Sequence, residues 1–363
     1  MVYCNNDVMV KNQNITEPER FFEQALSVFT QIVTDSAESI DYYYKISDYT
    51  IQLKFATSNL IPLLTPALSH LAIKPVIKPD LQICLWDSES TQSQMVRPAW
   101  SFEQITERGE IIGFNDERFH TSFLRPGNRL NMLDKSKNLG LLWTKSALNL
   151  PYWDRGAPLK ELLSNWIIKK NIQLVHGGAI GLPEGAVLIA GRSGAGKSTL
   201  CLNCFNSDLY YASDDYVLIQ ADPQPTLFSL YSSGKKNSDD IERFPHLLPF
   251  ISNKNKLSYE KALYFLNSAF PEKIIKQCPL FAVLVPRIIS EKNSYLEHIT
   301  KLQALSALVP STILQIPGVD ANSCKIIQKT VMSVPCFEIK VGSDLSQAHD
   351  VIRDLIMKGC EHE

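Results

Sequence analysis

The 363-residue chain carries 36 Lys and Arg against 38 Asp and Glu, a formal charge of −2, which excludes the broad basic footprint of a general nucleic-acid binder. With 45% hydrophobic and 20% charged residues it has the composition of a core-forming protein, not of a disordered one. Its length suits two domains, and no apolar run reaches the ~20 residues a membrane-spanning helix needs.

The opening stretch, MVYCNNDVMVKNQNITEPER, lacks the basic and apolar regions of a secretory leader, so a cytoplasmic location is expected. The cysteines Cys4, Cys84, Cys201, Cys204, Cys278, Cys324, Cys336 and Cys360 are scattered, mostly in apolar contexts, and read as reduced thiols. Cys201 and Cys204 have CxxC spacing, but no second pair accompanies them. They fall where a helix is expected, three apart on one face, and read as core residues.

The pattern EPERFFEQALSVFTQIV (17–33) predicts a helix with an acidic start. IDYYYKISDYTIQLKFA (40–56) predicts paired strands, TSNLIPLLTPALSHL (57–71) a helix capped by Thr or Ser with Pro66 as a kink, and DLQICLWD (80–87) a strand. From 109 to 144, GEIIGFND, RFHTSFL and LNMLD predict antiparallel strands and hairpins. Residues 1–150 are therefore expected to form an α+β domain, and residues 151–363 a second domain.

In APLKELLSNWIIKK (157–170), Pro158 suits the first helical position, and Leu159, Leu162, Leu163, Trp166 and Ile167 form an apolar stripe. IQLVHGGAIG and GAVLIAG predict two strands split by the turn Pro183-Glu184-Gly185. A helix is expected to about Phe205, then strands at 209–213, 216–220, 225–233, 281–288 and 336–342. Helices are expected near 299–308, 319–331 and 344–358, and the polar segment 234–278 is expected to hold a mobile loop.

Between strand and helix lies GRSGAGKST, residues Gly191, Arg192, Ser193, Gly194, Ala195, Gly196, Lys197, Ser198 and Thr199. It satisfies G-x-x-x-x-G-K-[ST] in the strand-then-helix context that confirms a phosphate-binding P-loop, or Walker A motif. Glycines let backbone N–H groups approach phosphate oxygens, Lys197 suits the β- and γ-phosphates, and the Ser198 hydroxyl suits Mg²⁺. Downstream, Asp214 and Asp215 follow the strand LYYAS. Two readings are open for them: one carboxylate on the metal with the other as a proton acceptor, or an Asx-type turn. His176, at the end of IQLVH, reads on its own as a structural strand-end histidine.

The order HGGAIGLPEGAVLIAGRSGAGKST…YYASDDYVLI resembles the catalytic domain of HPr kinase/phosphorylase and its relatives, over roughly residues 171–220. The resemblance implies a phosphoenolpyruvate-carboxykinase-like α/β P-loop domain with a mixed β core, behind the α+β N-terminal domain. It implies Asp214 as general base toward an acceptor hydroxyl, His176 in support, Lys197 on the phosphates, and Ser198 and Asp215 at Mg²⁺. The chain lacks the glycine- and arginine-containing signature that follows the Asp pair in HPr kinases. It carries SLYSSGKK (229–236), DDIERFPHLLPF (239–250) and YWDRGAPLKELL instead, similar to HPr-kinase-like proteins of peptide and small-molecule biosynthesis. Lys235, Lys236 and Arg243 are candidates for phosphate, acceptor or transition-state contact.

The expected activity is an ATP- and Mg²⁺-dependent transfer of a γ-phosphoryl group to a serine-type hydroxyl of a peptide or small molecule, with no nucleic-acid or membrane partner. The family's assemblies point to a homo-oligomer. A nucleotide-gated binding module with little transfer, and sulfuryl transfer from an adenylyl sulfate, stand as the alternatives. The N-terminal domain is assigned acceptor choice by elimination.

Overall fold

The computed structural model describes residues 15–36 and 39–360, so Cys4 and most of the stretch read as leaderless lie outside the described residues. Helix α1 (Glu17–Ser36) buries Phe21, Phe22, Ala25 and Phe29 as one stripe. They pack on Trp86, Phe114 and Phe119, with the rings of Phe29 and Trp86 5.7 Å apart. Each buried phenylalanine contributes ~2 kcal/mol through burial.

Strands β1 (Ile40–Ile46) and β2 (Tyr49–Phe55) form the expected hairpin. The segment after it is not one helix. A 3₁₀ turn, a four-residue helix α2 (Ile61–Leu64) and a second 3₁₀ stretch from Pro66 replace it, because Pro66 removes the donor that would continue the helix. Thr57 makes no cap bond; its hydroxyl lies 2.9 Å from that of Ser90 instead. Next come β3 (Leu81–Asp87), the short α3 (Ser88–Thr91), β4 (Phe119–Leu124), β5 (Arg129–Asp134) and β6 (Leu139–Thr144). The six strands form one sheet in the order β1-β2-β3-β6-β5-β4. Within 109–144, β4–β5 and β5–β6 pair antiparallel as expected, while the β2–β3 and β3–β6 pairs are parallel, so the sheet as a whole is mixed. GEIIGFND is not a strand; it touches its neighbours through isolated bridges.

Helices α4 (Tyr152–Gly156) and α5 (Lys160–Ile167) lead into the second sheet. Pro158 precedes the helix start rather than opening it. Leu159 takes a left-handed conformation (φ 60°) between the two helices, and Tyr231 donates its hydroxyl to the Pro158 carbonyl at 2.9 Å. The stripe from Leu159 to Ile167 is buried as expected.

IQLVHGGAIG breaks at Gly177 into β7 (Gln173–His176) and β8 (Gly178–Leu182), followed by β9 (Gly185–Ile189) and helix α6 (Lys197–Asn203). Then come β10 (Tyr210–Ser213), β11 (Tyr216–Gln220), β12 (Thr226–Ser229) and β13 (Ser233–Lys236). The single strand expected at 225–233 is therefore two, in different sheets. β13 pairs with β14 (Ala262–Phe265), which runs into α7 (Leu266–Ala269). The segment expected to be a mobile loop instead holds this pair and several 3₁₀ turns, with Phe244, Leu247, Tyr264 and Leu266 buried.

The 12-residue β15 (Gln277–Ile288) joins two halves of a nine-stranded sheet, since its start pairs with β12 and its middle with β9. β16 (Tyr295–His298), α8 (Lys301–Gln315), α9 (Ala321–Ser333), β17 (Cys336–Val341) and α10 (Leu345–Cys360) complete it. The protein is thus a mixed α/β structure with a six-stranded, a nine-stranded and a two-stranded sheet among the described residues. One buried cluster contains residues of both large sheets, including Leu53, Leu85, Leu174 and Leu218. Cys201 and Cys204 are free and buried, as the core reading requires. No helix among the described residues is long and apolar enough to cross a membrane.

Candidate active site

Every residue of β9 is buried, and the strand delivers the chain into the glycine-rich turn. Gly191, Gly194 and Gly196 have φ of 153°, 81° and 98°, conformations that side-chain-bearing residues rarely adopt. The turn closes on α6, which is anchored by buried Leu200, Cys201 and Leu202. Lys197 is itself buried and donates to the carbonyls of Gly191 at 2.7 Å and Arg192 at 3.3 Å. Burial lowers the pKa of its ammonium, against the pull of Asp215 and Asp214.

β8 passes directly beneath α6. A Cβ on Gly178 would lie 2.3 Å from Cys201 Sγ and 3.3 Å from the Asp214 carbonyl oxygen, so only glycine admits this approach. The contact ties the strand after His176, the helix after the loop and the acidic pair into one packed unit.

β10 ends at Ser213, whose hydroxyl donates to the Tyr216 carbonyl at 2.7 Å and closes the turn holding Asp214 and Asp215. Asp214 is 2% exposed. Its Oδ2 accepts the backbone N–H of Lys235 at 3.1 Å, and its Oδ1 is buried without a partner. Burial raises its pKa from the usual aspartate value, and the charge of Asp215 adds to that. Asp215 has the opposite environment. Oδ1 lies 3.0 Å from His176 Nε2, and Oδ2 accepts from Lys235 Nζ at 2.5 Å. Burial works to raise its pKa, but Lys235 and His176 outweigh that and hold it well below the usual range.

His176 is fixed from two sides: its backbone N–H donates to Thr312 Oγ1 at 3.1 Å, and its ring lies 5.9 Å from that of Tyr216. Lys235 is the connecting element. The same residue bonds Asp214 through its backbone and Asp215 through its ammonium. Burial acts to lower the Lys235 pKa, and Asp215 reverses it to a net rise.

These groups open into one cleft of about 580 Å³. Ser193, Gly194, Gly196, Lys197, Ser198, Thr199, His176, Asp214, Asp215, Lys235 and Arg243 all line it. Gly191, Arg192 and Ala195 shape the loop from outside the lining. Arg243 sits at the rim, its side chain 61% exposed and 3.7 Å from Asp240. A further part of the wall comes from the phrase YWDRGAPLKELL, which no site motif marks. Tyr152, Trp153 and Lys160 line the cleft there, with Lys160 Nζ donating to Tyr216 Oη at 3.2 Å and to the Gln315 carbonyl at 3.0 Å. Behind the wall, buried Arg129 of β5 pairs with Asp154 and, at 3.2 Å, with Glu161. Arg155 pairs with Glu260 at 2.5 Å. The six-stranded sheet thereby holds the wall of a cleft whose loop belongs to the nine-stranded one.

No protein-family model matches the chain, and no curated protein does. Among solved structures, the HPr(Ser) kinase/phosphatase from Coxiella burnetii matches at 11% identity and a TM-score of 0.29, covering 51% of this chain and 97% of that one. A likeness of that extent assigns neither family nor activity; the site's own residues must carry both.

Proposed function

We propose that the protein is an ATP- and Mg²⁺-dependent kinase of the HPr-kinase-like type, which transfers the γ-phosphoryl group to a hydroxyl of a peptide or small molecule. One observation carries this reading. Three separate sequence signals, the loop ending in Lys197 and Ser198, the strand-end His176 and the Asp214-Asp215 pair, line a single cleft.

The glycine-rich loop and Lys197 would hold the β- and γ-phosphates. Asp214 suits a general base on three counts: an unpartnered Oδ1, burial, and a raised pKa. The acceptor O–H would give its proton to Asp214 as the oxygen bonds to the γ-phosphorus and the bond to the β-phosphate oxygen breaks, releasing ADP. His176 and Lys235 would keep Asp215 in place, so that the pair divides into a fixed anion and a proton acceptor.

A nucleotide-bound Mg²⁺ would fit the Ser198 hydroxyl, which lines the cleft together with Asp214. When bound, the ion would offset charge developing on the phosphoryl oxygens. Asp215 fits less well as a direct ligand, because both its oxygens are engaged by His176 and Lys235.

The test is incubation of the full chain with γ-labelled ATP and serine-containing peptides and alcohols, read by mass shift of the acceptor. Label on an acceptor hydroxyl supports the reading. ATP binding with no labelled acceptor would favour the nucleotide-gated module instead.

A further inference from the structure

Two neighbouring lysines of β13 face opposite ways within one cleft. Successive side chains of a strand alternate between its faces. Lys235 turns to Asp215 and lies 5.4 Å from the centre of the Tyr216 ring. Lys236 turns away from the acidic pair and donates from Nζ to Thr199 Oγ1 at 2.9 Å. Both line the cleft, so β13 brings one cation to the acidic pair and the other to the loop.

The surroundings of Lys236 point to a ligand. The residue is 9% exposed, and a buried ammonium needs charge compensation. It carries three donors, yet its hydrogen-bond partner is a neutral hydroxyl. The nearby carboxylate, Asp240 Oδ2, stands at 3.6 Å on a side chain 38% exposed. Phe244 closes the apolar side, with Lys236 Nζ 5.0 Å from its ring centre. A plain surface pair with Asp240 would need neither the burial nor the anchorage on Thr199.

Thr199 follows Ser198 directly. With the terminal phosphate at Lys197 and Asp214, Lys235 marks the acceptor end of the cleft and Lys236 the other. We infer that Lys236 is a nucleotide-binding residue whose ammonium, held by Thr199, engages the α-phosphate of the bound nucleotide. The inference rests on the nucleotide reading above and adds a second phosphate-binding cation to Lys197.

Calorimetric titration of the full chain with MgATP and with magnesium tripolyphosphate tests it. Lys236→Met is expected to weaken both ligands about tenfold, the loss of one charge-assisted contact to phosphate. Lys236→Arg is expected to keep affinity within about threefold, because the charge survives, and serves as the folding control. Wild-type affinity in Lys236→Met overturns the inference alone, as does a loss confined to MgATP, which would place Lys236 at the nucleoside. A wild-type chain that binds neither ligand overturns the nucleotide reading and this inference with it.

Discussion

Lys235 meets Asp215 through its ammonium, Nζ to Oδ2, at 2.5 Å. The side chain of Lys235 is 13% exposed and that of Asp215 27%, so the contact is partly shielded from water. Removing one partner of a shielded pair leaves the other uncompensated. Lys235→Met is therefore expected to lower kcat by roughly tenfold or more, in line with the loss of one positioned electrostatic contact. Lys235→Arg should recover part of it. Steady-state kinetics on any labelled acceptor, together with a melting curve, separates this loss from simple unfolding.

The environment of Asp214 sets a pH limit. Its folded pKa is raised by burial and by the neighbouring charge of Asp215, and the base must be ionised to act. Activity should therefore fall as pH drops through a value above the ~3.9 of an ordinary aspartate. The acid limb of kcat/KM against pH reports it. A limb at or below the ordinary value would remove Asp214 as the base.

Arg129 is 2% exposed and is shared by Asp154 and Glu161 at the junction of the two sheets. Arg129→Met strands the buried Asp154 and the half-buried Glu161 and is expected to cost about 3–5 kcal/mol in urea unfolding. Because the same network backs Tyr152 and Trp153, acceptor KM should rise more than nucleotide KM in any variant that still folds.

His70 links the irregular stretch after β2 to β12, its Nε2 2.9 Å from Ser229 Oγ. Burial first, then Lys276, lowers its pKa from 6.5 to about 3. The unfolded chain takes up this proton near pH 6.5 while the folded chain refuses it down to about 3. Stability must then fall as pH drops through that window, by up to ~1.4 kcal/mol per pH unit for one proton. Urea unfolding of His70→Gln between pH 6 and 4 should show a shallower pH slope than the wild type.

How much of this was legible in the sequence follows from how local each signal is. The glycine-rich loop, the strand-end His176 and the Asp pair are short runs whose chemistry survives without tertiary context, and all of them line the cleft. Most strands were legible for the same reason, through alternation or continuous apolar runs. The parallel pairing of β3 with β2 and β6 was not, because alternation marks a strand and not its neighbour. Segment 234–278 read as polar because its buried groups, Phe244 with Leu247 and the short run from Ala262 to Leu266, are separated by a long polar stretch and become a core only against distant elements such as α6 and β10. Lys235 contributes through a backbone N–H as well as its side chain, which no residue pattern announces. The wall of Tyr152, Trp153 and Lys160 depends on Arg129, which is far off in sequence and brought close only by the six-stranded sheet.

Asp214→Asn tests the central claim most directly, because the change keeps the side chain's shape and removes its capacity as a base. Nucleotide affinity and phosphoryl transfer should be measured on the same preparation. The account predicts MgATP affinity within about threefold of the wild type and transfer reduced by ~10²–10⁴, the range for loss of a general base. Transfer at the wild-type rate would contradict it, and so would loss of MgATP binding in step with transfer, which would make Asp214 a metal ligand instead.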